Sequence, residues 1–436
     1  MKILYKNASF LPEYGFQNGK GYVAVDGDLF SYIGDKMPDG KFDRIIDCNG
    51  NLLMPGFYNT HCHAAMTLFR GYGDDLPLDR WLNERIFPAE DNLTSDGVYW
   101  ATMAAAAEMI GGGVVSFSDM YMFEDSVARA VIDSGIKGNL ARSIVSFDEN
   151  IYMPPDFRFL EASGFCREFN GADNGRIIAD MSLHAEYTNV PRACEFVADY
   201  CAKEDLRIQI HLSETQKEHA ECMKRRNGKT PTEFFADLGV FDIPATAAHC
   251  VWVTDSDIRT LAEKNVFVAH NPTSNLKLAS GIMPYKKMRD AGVCITLGTD
   301  GAGSNNSLNI MKEIQLASLI HKGVERDAEI ASANEILKCA TYNGALAQGR
   351  NDCGRIEKGY RADAILIDIN NLNNQPCYDT ASTAVYSAER SNVLITMCDG
   401  RILYENGEYK SIDTERVKYE LSRSVSDIMS RTANAQ

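Results

Sequence analysis

The residues of this sequence whose types and spacing best support chemistry are His61 and His63, His211 with Glu214, His249, and Asp300. In Thr60-His61-Cys62-His63 a single residue separates two imidazoles. On a β-strand, residues i and i+2 share a face, so His61 and His63 can reach one metal ion together while Cys62 points away. Alone, the pair is a weak signal. Joined by His211 and Asp300 it becomes three imidazoles and a carboxylate, a donor set for one divalent cation. Zinc suits it first, with iron, manganese or nickel as alternatives. Such a cation lowers the pKa of a bound water to about 7. Glu214 stands three residues past His211, the wrong parity for the same strand face. It therefore belongs on the following loop, where it can reach over the metal as a proton shuttle. His249 is placed to orient the nucleophile or polarise a leaving group, and Asp300 to ligate the metal and accept a proton.

Strands must carry these groups. Candidate β runs are Val114–Asp119, Gly138–Ile144, Ile177–His184, Arg207–His211, Ala245–His249, Val266–His270 and Val293–Gly298. With the strand ending at His63 they number eight. His63, His184, His211, His249 and His270 each close such a run, and the last run leads into Thr299-Asp300. Only His219 and His321 fall outside this pattern, and they are expected at the surface. Helix-like stretches lie between the runs, at Ser95–Ile110, Arg192–Lys203, Thr230–Leu238 and Asp255–Lys264. The β-to-β step averages about 34 residues, the size of a βαβ unit. Eight such units predict a distorted (β/α)8 barrel, whose active site lies at the C-terminal ends of its strands.

Both chain ends look strand-rich instead. Gly21–Gly34 is a hairpin around Asp26-Gly27, and Ala362–Asp368, Val393–Met397 and Arg401–Tyr404 follow the barrel, the last two joined at Asp399-Gly400. The expected division is residues 1–54 plus 355–436 as one small β-sandwich domain with a C-terminal helix, and 55–354 as the catalytic barrel. The net charge of −16 opposes a nucleic-acid partner, since phosphate binding needs clustered Lys and Arg. No apolar run is long enough for a membrane span, and the first residues lack the apolar stretch of a signal peptide. Twelve cysteines without C-x-x-C spacing read as reduced thiols, so a cytoplasmic location is expected. A homo-oligomer is compatible with the sequence.

Several motifs resemble the amidohydrolase superfamily: Pro55-Gly-Phe-Tyr-Asn-Thr-His-Cys-His63, His211-Leu-Ser-Glu-Thr215, Ala248-His-Cys250, His270-Asn-Pro-Thr-Ser-Asn275 and Gly298-Thr-Asp-Gly301. They occur in that family's order. The resemblance implies the barrel, the β-sandwich from both termini, and one metal on His61, His63, His211 and Asp300. Two-metal members carry a bridging Lys at the end of the fourth strand. Ile177–His184 has none.

His63–Leu82 followed by Phe87-Pro-Ala-Glu-Asp91 resembles more narrowly the S-adenosylhomocysteine / 5′-methylthioadenosine deaminase group. By motif position this implies a nucleoside pocket of Trp81, Glu90, Arg142, Arg158 and His184, with Arg158 in a loop. Ser304, in a tight turn over Gly301–Asn306, is a further substrate contact. The implied reaction is hydrolytic deamination of an adenosine-type nucleoside to its inosine analogue and ammonia. Alternatives are another single-metal amidohydrolase, such as a guanine, pterin or s-triazine deaminase or chlorohydrolase, and more remotely a non-catalytic barrel scaffold.

Overall fold

The computed structural model describes residues 1–14, 20–147 and 157–435. The chain begins with five strands, β1 (Lys2–Ser9), β2 (Lys20–Asp26), β3 (Leu29–Gly34), β4 (Arg44–Asp47) and β5 (Leu52–Pro55). The apolar runs then give β6 (Phe57–Cys62), β7 (Val114–Tyr121), β8 (Lys137–Arg142), β9 (Ile177–Leu183), β10 (Ile208–Leu212), β11 (Ala245–His249), β12 (Phe267–His270) and β13 (Ile295–Leu297). Four more strands follow: β14 (Ala364–Ile367), β15 (Val393–Cys398), β16 (Arg401–Glu405) and β17 (Glu408–Tyr409).

Strands β6 to β13 pair in sequence order, all parallel, as one eight-stranded sheet. Side chains and backbone close the ring between its first and last members. Thr60 Oγ1 donates to the carbonyl of Leu297 at 2.9 Å, and the amides of Thr299 and Asp300 both donate to the carbonyl of His61, at 3.1 and 3.0 Å. Here the last strand is shorter than its apolar run predicts, because the backbone after Leu297 turns to bond β6. The approach is close enough to require glycine: a Cβ on Gly298 would lie 2.3 Å from Asn271 Oδ1 and 2.8 Å from the Cβ of His61. The intervening helices start on side-chain caps, as at Thr94, Thr230, Thr254 and Ser332.

The two chain ends form a nine-stranded mixed sheet, in the order β17-β16-β15-β14-β5-β1-β2-β3 with β4 added beside β1. β14 joins the halves by pairing antiparallel with β5. The sheet folds over a core of its own that includes Ile3, Tyr5, Val23, Val25, Phe30, Leu53, Leu366, Ile395 and Met397. Contacts between distant strands make it a sandwich: Tyr5 OH lies 3.3 Å from Met397 Sδ, and Arg44 pairs with Glu405. Among the described residues, no helix is long and apolar enough to cross a membrane.

Candidate metal centre and acid/base site

His61 is the penultimate residue of β6 and His63 lies just past its end, so both sit at the C-terminal mouth of the barrel. His211 arrives from β10, His249 from β11, and Asp300 from the turn after β13. Their rings pack at 4.9 Å for His61 with His63, 4.9 Å for His61 with His211, and 5.3 Å for His63 with His211. Asp300 Oδ1 lies 3.2 Å from His63 Nε2 and 3.5 Å from His61 Nε2.

Hydrogen bonds outside the cluster decide which ring atom faces in. His63 Nδ1 donates to the carbonyl of Met120 at 2.6 Å, and His211 Nδ1 to the carbonyl of His184 at 2.8 Å. Both Nε2 atoms are therefore turned inward, 3.3 Å apart, the second-sphere arrangement of metal-binding imidazoles. His61 Nε2 is buried and has no hydrogen-bond partner among the described residues. Such convergence is stable only with positive charge between the donors, from a proton or a metal ion. Burial works against charge on every member. Asp300 and its neighbours overcome burial at His63, lifting it to about 9, whereas burial and the adjacent imidazoles push His61 down to about 4. His61 and His63 in turn hold the Asp300 carboxyl well below the usual carboxylate range, against its burial. A divalent cation bound there would supply that positive charge in place of a proton. Two overlapping groups, His61/His63/His211 and His61/His249/Asp300, bring their ligand atoms within 4.8 Å of one another. The donor set fits a metal ion.

Acid/base groups flank this cluster. Glu214 Oε2 lies 3.8 Å from His249 Nε2, and Glu214 Oε1 accepts from Ser280 Oγ at 3.0 Å. Burial raises the Glu214 carboxyl above its ordinary range. His249 Nδ1 donates to Asn275 Oδ1 at 2.8 Å, which leaves Nε2 toward Glu214. Asp300 Oδ2 accepts from Ser274 Oγ at 2.6 Å and Ser304 Oγ at 2.9 Å. The backbone is unusual at these positions: φ is positive at Ser213 (48°), His249 (75°), Cys250 (48°) and Asp300 (60°). Left-handed backbone at a non-glycine residue costs of order 1–3 kcal/mol. Here it re-aims side chains at the ends of strands, which strand parity alone could not do.

The expected pocket residues are more dispersed. Trp81 is buried, and its indole Nε1 has no hydrogen-bond partner among the described residues. Glu90 lies at the far end of the same helical stretch, beyond a π turn over Leu82–Ile86, and accepts from Tyr121 OH at 2.6 Å. Such turns are frequent at functional sites. His184 packs 4.9 Å from the His211 ring. Arg142 ends β8 and pairs with Glu161 at 3.0 Å. Arg158 belongs to the helix Phe157–Phe169 rather than to a loop, with its guanidinium 4.5 Å from the Phe157 ring centroid. The loop before it, 148–156, lies outside the described residues. Gly301–Asn306 is a short helix over Ala302–Asn305, not only a turn, and it gives the Ser304 hydroxyl Asp300 as its partner.

His321, expected at the surface, is buried instead. Its Nε2 is 3.0 Å from His270 Nε2, and its ring stacks on Tyr285 at 4.7 Å. The helix Ile310–Glu325 packs that face inward, which a lone histidine in a helix does not announce. Ser274, Asn275 and Ser280, which bond Asp300, His249 and Glu214, carry no spacing signal of their own. The run His270–Asn275 covers the first two, and nothing in the sequence marks Ser280.

Residues 52–403 match the amidohydrolase family. A 5-methylthioadenosine/S-adenosylhomocysteine deaminase of Dictyoglomus thermophilum is 43% identical over 407 residues, covering 93% of this chain and 94% of that protein. A 5′-deoxyadenosine deaminase of Methanosarcina mazei is 39% identical, covering 98% and 99%. Among solved structures, a zinc-bound adenosine deaminase from Xanthomonas campestris superposes with a TM-score of 0.91 at 30% identity, covering 98% of each chain.

Proposed function

The chain belongs to the amidohydrolase family, and on that premise we propose that it hydrolytically deaminates an adenosine-type nucleoside to the inosine analogue and ammonia. S-adenosylhomocysteine, 5′-methylthioadenosine and 5′-deoxyadenosine are the first candidate substrates. The observation that carries this reading is the meeting of a four-donor cluster with a buried acid, Glu214, whose carboxylate stands 3.8 Å from His249.

His61, His63, His211 and Asp300 would hold one divalent cation, zinc by its donor set. When bound, that ion supplies Lewis acidity and an activated water. The protein's own groups handle the protons. The adenine ring is neutral, so N1 must be protonated as C6 is attacked. Glu214, its carboxyl raised by burial, delivers that proton. The bond from His249 Nδ1 to Asn275 turns Nε2 toward Glu214. Asp300 takes up the proton released by the nucleophile and passes it to the amino group as that leaves as ammonia. Glu214 regains its proton as the C6 hydroxyl becomes the carbonyl, and the hydroxyls of Ser274 and Ser304 keep the Asp300 carboxylate in register. Trp81 packs on the substrate, and Glu90 accepts from ribose hydroxyls. His184 and Arg142 complete the pocket wall, and Arg158 meets the carboxylate of a homocysteine tail. Twelve free cysteines, most of them buried, fit a reducing compartment such as the cytoplasm.

The test is ammonia release from a panel of S-adenosylhomocysteine, 5′-methylthioadenosine, 5′-deoxyadenosine, adenosine, guanine and an s-triazine, with the metal content measured in parallel. Turnover of the adenosine derivatives is expected. Turnover of guanine or the triazine alone would overturn the reading.

A further inference from the structure

Glu214 follows β10 on a turn that must hold its carboxylate at a fixed height over the mouth. We propose that Glu218 is a positioning residue for Glu214, its carboxylate acting as a buried brace for the backbone that carries the proton shuttle. This inference rests on the reading of Glu214 as the catalytic acid.

The geometry sets Glu218 apart from its counterparts in the same molecule. Among the described residues, four α-helices open with a capping box in which the acidic residue three positions into the helix reaches back to the amide of the cap. At Thr230/Glu233, Thr254/Asp257 and Ser332/Glu335 the acidic side chain accepts the cap residue's own amide, at 2.9, 2.8 and 2.8 Å. At Thr215/Glu218 that bond is long, 3.4 Å. The short bonds go further back along the chain. Glu218 Oε2 accepts the amide of Glu214 at 2.7 Å, and Oε1 accepts the amide of Ser213 at 2.9 Å.

Glu218 is also buried, and Ser213 lies in the left-handed region with φ 48°. The carbonyl of Ser213 is claimed from the opposite side by the amides of Val251 and Trp252, at 3.1 and 2.9 Å. The peptide units that lead into Glu214 are thus gripped between Glu218 and the loop after His249, while Ser280 fixes the carboxylate end. An ordinary helix cap needs none of this. A carboxyl group that must protonate one ring nitrogen does, because misplacement by about 1 Å can reduce the rate about 100-fold.

Glu218→Gln replaces one of the two carboxylate oxygens with an NH2, so that the amide of either Ser213 or Glu214 loses its acceptor. The expected result is a fall in kcat on the best nucleoside of about 10- to 100-fold, with KM and metal content unchanged. Glu233→Gln and Glu335→Gln are the controls, since they weaken capping boxes of ordinary geometry. They should lower the thermal midpoint to a similar degree and leave kcat unchanged. If all three variants lose stability and keep kcat, Glu218 is an ordinary cap and the proposal is wrong. If Glu218→Gln raises KM or sheds metal with kcat intact, the brace serves binding rather than proton transfer, and the proposal is equally wrong. Glu214→Gln separates the two readings. Its full activity would remove the acid role itself, whereas its inactivity beside an active Glu218→Gln would remove only the brace.

Discussion

The barrel buries charged and polar side chains at both ends, and the two ends treat them in opposite ways. At the closed base, where β6 and β8 begin, Lys137 lies 2.5 Å from Asp363 Oδ2 and 2.8 Å from Asp399 Oδ1. Tyr58 OH donates to Asp363 at 2.6 Å, and the amide of Asp399 donates to the same carboxylate at 2.9 Å. Burial alone would strip the charge from Lys137, but Asp363 keeps its pKa above the ordinary lysine value. At the mouth, buried and half-buried imidazoles turn their Nε2 atoms toward one another and toward Asp300, and His61 Nε2 has no hydrogen-bond partner among the described residues. Paired charges at one end, and at the other a convergence of donor atoms that includes the partnerless His61 Nε2, separate the structural end from the one suited to a ligand. A polar group whose bonds are made within the fold has little left to offer a ligand, whereas converging donor atoms left short of partners can still take one.

That contrast predicts separable losses. The largest should come from Asp300→Asn or His61→Ala: loss of bound metal, by elemental analysis, and of all measurable turnover. Glu214→Gln should keep the metal and lose about 10²- to 10⁴-fold in kcat. Lys137→Met leaves a buried carboxylate short of its counter-charge and should destabilise by about 3–5 kcal/mol, read from the urea midpoint, with kcat per folded molecule unchanged. If that variant instead lost kcat at full stability, base and mouth would be coupled and the contrast would fail.

The smallest expected effect is a pH dependence. Burial raises Glu313, beneath the site, from 4.5 to about 7. Between those values the folded chain keeps a proton that the unfolded chain has released. Its contribution to stability is therefore full below about pH 4.5 and lost as pH rises through about 7. Glu313→Gln should flatten the decline of the urea midpoint across that window.

The arrangement of the mouth was legible in the sequence because strand parity and strand-end position are local properties. An i, i+2 pair announces its shared face, and repeated histidines at the ends of apolar runs announce a common rim. Resemblance to a family sharpened both. The β layer was legible as a composition, but the parallel pairing of β4 with β1 was not, since pairing direction depends on partners far away in the chain. Neither was the burial of His321, nor the role of Ser280, which meets Glu214 across 66 residues. Long-range packing selects such residues, and no periodicity records it. The positive φ angles at His249 and Asp300 are likewise invisible in the residue types, because neither residue is glycine.

The pairing of β5 with β14 imposes an order of events on the chain. Leu52 must meet Ile367, a separation of roughly 300 residues, so the edge of β5 stays open while the whole barrel is synthesised. A nascent chain emits about 5–20 residues per second, which leaves that apolar edge exposed for some tens of seconds. Exposed strand edges pair with one another. The first strands of this protein therefore carry an aggregation hazard during synthesis, and its last strands remove it when they arrive.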